Sequence, residues 1–457
     1  MIMKNTLIKL RAFFQTEETF DIEWRKKQLR AMLKMLEEQT DSLTEALAKD
    51  LGKSKQEAWI TEIGFVLHEA RHALKNINSW IKPRRVSSPL FLQPASSQIR
   101  PQPRGLALII SPWNYPVQLM LSPLVAAICA GDVVVLKPSE LAPAVAAWCS
   151  QYIPRYLDPR AFAVIEAGPE KTAELLKEKF DFIFFTGSTK TALYIARAAA
   201  EHLTPTVLEL GGKSPCIITH CKHLKTAAKR IAFAKFTNAG QTCVAPDYVL
   251  IQEDLKSDFE NELKLAITEQ FGPENDPKNF THIIHKGHFK RLDNMLGFGE
   301  IIIFGGARSE DSLMFAPTLI ETDMDHPTMQ EEIFGPILPI LTLPSEDPIQ
   351  AAKKLIHEHP TPLACYLFSD DKNDVKAINK VISGGFAHND ALMHLSNVNL
   401  PFGGVGTSGH GASHGIAGFE AFSHLRAELL QSSCIDVKLR YPPYTESAMN
   451  WLKRFMK

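Results

Sequence analysis

Leu106-Ala-Leu-Ile-Ile110 and Asp132-Val-Val-Val-Leu136 are two short apolar runs, and Val117 to Cys129 between them reads as an apolar helix. Strands buried on both faces carry continuous hydrophobic residues, and parallel neighbours need a long crossover, usually a helix. Phe162-Ala-Val-Ile165 and Phe182-Ile-Phe-Phe185 extend the alternation. The spacing therefore predicts a parallel sheet covered on both faces. Tyr248-Val-Leu-Ile251, Glu300-Ile-Ile-Ile-Phe304, Pro339-Ile-Leu-Thr-Leu343 and Ala364-Cys-Tyr-Leu-Phe368 repeat the style in the second half. The expected fold class is α/β, with two α/β domains in one chain.

The rest of the chain agrees with that size. A chain of 457 residues exceeds the about 250–300 at which single cores stop growing. Upstream, Leu29, Met32, Leu33 and Leu36 fall at i, i+3, i+4 and i+7, and Leu43 and Leu47 continue the helical pattern until Gly52. Residues 81–103, rich in Pro and Ser, read as an extended excursion. Met1 to Thr16 lacks acids and carries Lys4, Lys9 and Arg11; the first turns of a helix are favoured over a transit peptide. No apolar run approaches the ~20 residues of a membrane span. Trp451-Leu-Lys-Arg-Phe-Met-Lys457 reads as a short amphipathic end. A net charge of −1 offers no general attraction to nucleic acid or anionic membrane. Seven cysteines without a Cys-x-x-Cys pair speak for a reducing, cytoplasmic setting.

Three stretches carry candidate chemistry. Phe236-Thr-Asn-Ala-Gly-Gln-Thr-Cys243 sets a cysteine after small and amide residues suited to a tight turn. A cysteine attacks as thiolate, so its surroundings are expected to lower its pKa or supply a base. Leu208-Glu209-Leu-Gly-Gly-Lys-Ser-Pro215 places a carboxylate where an apolar strand gives way to a glycine turn. There it can project into a crevice and activate water. Ser111-Pro-Trp-Asn114-Tyr-Pro116 adds an amide, stiffened by prolines, that can hold an oxyanion. Each also has an ordinary reading: a structural cysteine, a solvated glutamate, an asparagine in a turn.

Two further signals concern phosphate and metal. Gly404-Val-Gly406-Thr-Ser-Gly409 is a literal G-x-G-x-x-G, but it follows Leu-Pro-Phe-Gly rather than a strand, so the dinucleotide context fails. Phe185-Thr-Gly187-Ser188-Thr189 follows a buried strand and opens a helix, a geometry suited to pyrophosphate. His282, His285 and His288, and Cys216, His220, Cys221 and His223, lack the paired spacing of structural zinc, and no metal is expected.

Taken in order, these motifs resemble the aldehyde dehydrogenase superfamily, and within it the shorter class 3 branch, over about residues 20–430. The resemblance implies a Rossmann-type cofactor domain (1–80 and 104–209) and an α/β catalytic domain (210–419). It also implies a small strand arm that pairs subunits (81–103 and 420–442, including Cys434-Ile-Asp-Val-Lys-Leu439) and a tail at 443–457. It makes Cys243 the nucleophile, Glu209 the general base, and Asn114 an oxyanion donor together with the Cys243 N–H. Trp113, Gly187 and Ser188 are then expected at the cofactor. Ala192, where relatives usually have glycine, is expected to shift cofactor fit rather than abolish binding.

Lys137 and Glu140 would lie at the adenosine ribose; having both a base and an acid suggests NAD with NADP tolerated. Glu332 would grip the nicotinamide ribose with Phe334 beside it. Phe402 would line the pocket's nicotinamide end, with Tyr115 and His414 also in the substrate pocket; His414 has an equal reading as a packed histidine. The implied reaction is NAD(P)-dependent oxidation of aromatic or medium- to long-chain aldehydes to carboxylic acids, by a homodimer. The alternatives are a coenzyme A-acylating relative, which would not need Glu209, and a non-catalytic binding or structural protein on the same scaffold.

Overall fold

The computed structural model describes residues 2–274, 280–436 and 441–455. Its first sheet runs, edge to edge, Gly409–His410, Thr206–Glu209, Phe182–Thr186, Leu106–Ile110, Val133–Lys137 and Phe162–Val164. All neighbours are parallel except the short Gly409–His410 edge, which pairs antiparallel with Glu209 and Leu208. The apolar runs at 106–110, 133–137 and 182–186 are buried at every position, as strands sandwiched between helices must be. Chain order runs outward in both directions from Leu106–Ile110, so the sheet reverses between that strand and Phe182–Thr186. A crevice forms at the carboxyl ends of such strands.

The second sheet has the order Ile301–Phe304, Thr318–Glu321, Ile337–Leu343, Tyr248–Gln252, Pro215–Ile218, Ala364–Phe368 and Gly385–His388. It is parallel throughout except for Ile301–Phe304. That strand reads apolar but lies largely exposed at an edge. A register shift after Ile302 is one way an edge is kept from pairing further.

The N-terminal helical pattern divides. Helices Ile22–Glu38 and Thr40–Leu51 meet at Gln39, and Gly52 closes the second at φ 72°. Leu29, Met32, Leu36, Leu43 and Leu47 are buried, with Leu33 packed at the margin. The basic N-terminus forms the helix Ile2–Phe14. Residues 81–103 form two strands, Arg84–Val86 and Ala95–Pro103, and the second pairs along its whole length with Ser423–Gln431. The partner strand was expected at Cys434–Leu439; it lies earlier, where alternating residues match the register, and Cys434–Asp436 is not strand. Residues 437–439 fall outside the described residues. The chain also returns to the first sheet sooner than 420: Gly409–His410 joins it, and Phe419 and Phe422 are buried in its core. Among the described residues no helix is long and apolar enough to cross a membrane. The C-terminal stretch forms the helix Glu446–Phe455.

Candidate active site

Cys243 sits at the end of a turn that few sequences can make. Asn238, Ala239 and Gly240 have φ of 56°, 51° and 71°, a left-handed run that costs free energy unless neighbours impose it. A Cβ on Gly240 would fall 2.2 Å from the Gly335 carbonyl, so only glycine fits there. The Asn238 N–H donates to Glu57 Oε1 (2.8 Å), and its side-chain amide donates to the Asn114 carbonyl (2.9 Å). Gln241 donates to the His282 carbonyl (3.1 Å) and accepts from the Ile284 N–H (3.0 Å). These bonds over-determine the turn and deliver the sulfur, half-buried, to a junction of two cavities.

Glu209 is the last residue of the strand Thr206–Glu209 and lines both cavities, as do Cys243 and Thr186. One carboxylate oxygen accepts from Ser413 Oγ at 3.2 Å; among the described residues the other has no partner. Burial pushes this carboxyl up to about 8, and the Ser413 bond opposes the shift. The Cys243 thiol is likewise pushed up to about 12, first by burial and then by the negative charges of Glu332 and Glu209. Surroundings that lower this thiol's pKa or supply a base were expected, and Glu209 lies beside it as a candidate base. The pKa itself moves the other way, because burial and both acidic neighbours disfavour a thiolate.

Asn114 follows the strand Leu106–Ile110 and is buried. Its amide donates one hydrogen to the Gln241 carbonyl (3.0 Å), leaving the second free to point into the cavity. Its loop is anchored by a buried ion pair absent from the motif reading. Lys53 Nζ lies 2.7 Å from Glu62 and donates to the Asn114 carbonyl (3.1 Å). The other Glu62 oxygen accepts from the Val117 and Gln118 N–H groups at the start of the following helix.

The apolar cavity is lined by Phe65, Tyr115, Leu119, Phe233, Phe402 and His414, among others. Tyr115 shares a 2.5 Å hydrogen bond with Thr242. Phe402 stacks on His414 with ring centroids 5.3 Å apart. His414 is thus a packed histidine, also tilted against Phe65. Phe402 belongs to this cavity and not to the cofactor-side lining.

The polar cavity opens at the sheet's reversal. Trp113, Asn114, Gly187, Ser188, Glu332 and Phe334 all line it, with Arg291 and Glu331. Ser188 caps the helix Thr189–Ala200 by accepting from the Thr191 N–H (3.3 Å), so the helix's positive end faces the space. Ala192 points into the core, where its methyl is covered. Gly211 lets the Glu332 carboxylate lie against its backbone, since a Cβ there would be 2.0 Å from Oε2. Burial and Asp247 push the Glu332 carboxyl up to about 8. Lys137 and Glu140 pair with each other at 2.6 Å, outside the lining of this cavity.

The roles of other residues here were not legible in the sequence. Arg291 donates to Glu331 Oε1 (2.9 Å) and to the carbonyls of Glu332 (3.2 Å) and Ile333. His288 bonds the Phe334 carbonyl through Nε2 (2.8 Å) and packs against Trp113. Burial and Arg291 pull His288 down to about 4. Lys213, four residues after Glu209, pairs with Asp247 and donates to the Thr328 and Glu331 carbonyls. Lys213 lies within the Leu208–Pro215 motif, whereas Arg291 and His288 sit in a helix rich in charge that reads as solvated. His282, His285 and His288 each bond locally rather than to a common point. Among the described residues the one cluster of possible metal ligands joins His220 to Asp371 and Asp374, not to cysteines. Gly404–Gly409 forms a 3-10 turn and a short strand, with no helix behind it.

A two-sheet α/β enzyme, with a sulfur and a buried carboxylate between an apolar and a helix-ended polar cavity, is what fold and site define. Within that class the chain belongs to the aldehyde dehydrogenase family, whose model matches residues 9–427. It is 43% identical to a 4,4'-diaponeurosporen-aldehyde dehydrogenase of Staphylococcus aureus, over 100% of this chain and 99% of that one. It is 45% identical to aldehyde dehydrogenase family 3 member B1 of Bos taurus, over 96% and 94%. The structure of S. aureus AldH in a substrate-bound state superimposes with a TM-score of 0.95 at 42% identity, covering 99% of each chain. An S. aureus betaine aldehyde dehydrogenase variant in complex with NAD+ is 25% identical, with a TM-score of 0.84 over 95% and 91%. The protein is an oxidoreductase acting on aldehydes.

Proposed function

We propose that the protein oxidises apolar aldehydes, aromatic or medium- to long-chain aliphatic, to carboxylic acids with NAD, NADP being tolerated. The observation that carries this reading is that Cys243 and Glu209 line both cavities, with Asn114 beside them on the polar one. The apolar side fits an aldehyde's tail. The polar side fits a dinucleotide: a helix N-terminus beside Gly187 and Ser188 suits pyrophosphate, and the Glu332 carboxylate over Gly211 suits ribose hydroxyls. The NAD+ complex of the 25% identical relative supports the same assignment. Lys137 and Glu140, paired at the end of Val133–Lys137, supply a cation and an anion for the far ribose.

In this reading Cys243 loses its thiol proton, through Glu209 to solvent, and its thiolate adds to the aldehyde carbon. The free Asn114 N–H and the Cys243 N–H then receive the oxyanion, as preorganised donors that need no reorganisation. A nicotinamide dinucleotide held by Gly187, Ser188 and Glu332 would supply the hydride acceptor that the oxidation of the thiohemiacetal to a thioester needs. Glu209 takes a proton from the water that releases the acid and frees the sulfur. Arg291, His288 and the Lys213–Asp247 pair hold the Glu331–Phe334 segment in place. The bodies are read as 1–80 with 104–209 for cofactor and 210 onward for catalysis, up to the return of the chain to the first sheet at Gly409–His410. The three-stranded sheet, with Leu425, Leu429 and Leu430 exposed, is read as the arm of a homodimer. The cytoplasm is the proposed compartment, in keeping with seven free cysteines.

Glu209→Gln tests the assignment directly. Reduced cofactor is expected to appear in a burst of about one equivalent per site, followed by steady-state turnover reduced about 10²-fold or more. An undiminished steady-state rate would remove Glu209 from the base role.

A further inference from the structure

We propose that Ser413 is the positioning residue of the general base. Its hydroxyl holds the ionised Glu209 carboxylate by donating to one oxygen and leaving the other for water, and the glycine-rich loop serves to bring that hydroxyl there. The proposal rests on the reading of Glu209 as base.

Ser413 Oγ lies 3.2 Å from Glu209 Oε1 and 3.2 Å from the Phe402 carbonyl. The hydroxyl's one hydrogen is directed to Oε1 of the ionised carboxylate, the stronger of its two acceptors, and Glu209 Oε2 is left for the water. When Oε2 takes the water's proton, Oε1 becomes a weaker acceptor and the serine hydrogen is free to turn to Phe402. The bond therefore favours the ionised base and fixes which oxygen faces the water. That matters because both residues are buried, where an unmade polar bond is costly.

The loop's shape follows from the same need. A Cβ on Gly403 would lie 2.3 Å from the Gly411 carbonyl, and one on Gly404 2.0 Å from that of Ser408. Gly409, at φ 130°, would place a Cβ 2.0 Å from the Leu208 carbonyl, on the very strand that carries Glu209. The loop closes where Phe402 and Ser413 exchange backbone hydrogen bonds of 3.1 and 2.7 Å. This gives the glycine motif a role in shaping the loop that carries Ser413. The titratable groups sharing the cavities with Glu209 are Cys243, Tyr115 and His414 on one side and Arg291, Glu331 and Glu332 on the other.

The test is the pH dependence of two variants, read in both burst and steady state. Only ionised Glu209 accepts a proton, and the Ser413 bond favours that form. Removing the bond moves the rising limb of the steady-state profile to higher pH. In Ser413→Ala the limb is expected to shift up by about one pH unit. Turnover near neutrality should fall about tenfold, with the burst amplitude unchanged. Ser413→Thr keeps the hydroxyl and is expected to restore the wild-type limb. A superimposable profile for Ser413→Ala would overturn the proposal, as would Ser413→Thr failing like alanine with full burst amplitude. Glu209→Gln run alongside separates the layers. If it stalls after the burst while Ser413→Ala is unchanged, only the serine's role is lost; if it turns over normally, the base assignment falls first.

Discussion

The wall on one side of Cys243 is aromatic and aliphatic; on the other it carries Arg291, Glu331 and Glu332. The apolar side is held by packing, as in Phe402 stacked on His414 and Tyr115 tied to Thr242. The polar side is held by charge-assisted bonds to backbone carbonyls, through Arg291 and Lys213. The difference follows from what each side must do. A tail with no polar atoms gives directional bonds nothing to grip, so shape and desolvation set its affinity. A dinucleotide needs donors and acceptors fixed before it arrives, because ordering them on binding would cost affinity. Cys243 and Glu209 belong to both sides and inherit a burden from each. Both are desolvated, and both have their charged forms disfavoured.

The largest effect expected is at the shared junction. Cys243→Ala should lower turnover by on the order of 10⁴-fold or more, since among the described residues no other thiol lines either cavity. Both cavities should survive, so cofactor binding followed by nucleotide fluorescence should remain within about threefold of wild type, a change worth under 1 kcal/mol. Substantial residual dehydrogenase activity would break the assignment of the junction. In the unaltered protein, burial and two acids keep the thiol protonated. Alkylation of Cys243 without cofactor should therefore keep rising with pH through about pH 10 rather than levelling near the ordinary thiol value of about 8.5.

An effect confined to the polar side is expected next. Glu332→Gln removes a carboxylate held over Gly211 while keeping its shape. A hydrogen bond to a charged group contributes about 1.5–3 kcal/mol, so cofactor affinity should fall about 10- to 100-fold. Isothermal titration with NAD is the measurement. The pH dependence has a defined sign. This carboxyl is raised to about 8, so it is protonated below that and ionised above. The affinity gap between wild type and Glu332→Gln should widen as pH rises through about 8. A gap constant in pH would mean that the ionised form is not what grips the ribose.

How far such sites show in sequence depends on the kind of structure that builds them. The buried strands at 106–110, 133–137 and 182–186 were plain, because full burial leaves a continuous apolar run. Cys243, Glu209 and Asn114 were found because each follows or precedes a turn with unusual chemistry. Short strands such as Thr318–Glu321 and Gly385–His388 gave too few residues to show a period. The ion pair Lys53–Glu62 and the Arg291 clamp were illegible for a different reason. Charged residues in a helix usually mean a solvated face, and only tertiary packing reveals that these are buried or aimed at backbone carbonyls. Within the arm expected at 420–442, Cys434–Leu439 stood out by its alternation, but the stretch that pairs along Ala95–Pro103 is Ser423–Gln431.

The apolar side should give the smallest and most selective effect, and it turns on one helix. Gln118, Leu119, Ser122, Pro123 and Ala126 all line the cavity, so it follows one face of the helix Gln118–Ala130. Eight residues at 1.5 Å each make this about 12 Å. An extended chain advances roughly 1.2 Å per bond, so about ten bonds of a tail fit along that face. Ala126, at the C-terminal end of this face, lines the cavity together with Gly418, where an added Cβ would lie 3.2 Å from the Ala126 methyl. Ala126→Leu should fill this end and exclude about two methylenes. At about 0.8 kcal/mol for each buried methylene, kcat/KM for a ten-carbon aldehyde should fall about tenfold, while a four-carbon aldehyde should change less than about twofold. Assaying a series of chain lengths separates this from general damage, since overpacking that disturbed the Phe184 and Phe422 rings beside it would depress every length alike. A uniform loss would place the tail elsewhere, and the contrast between the two sides would then have to be redrawn.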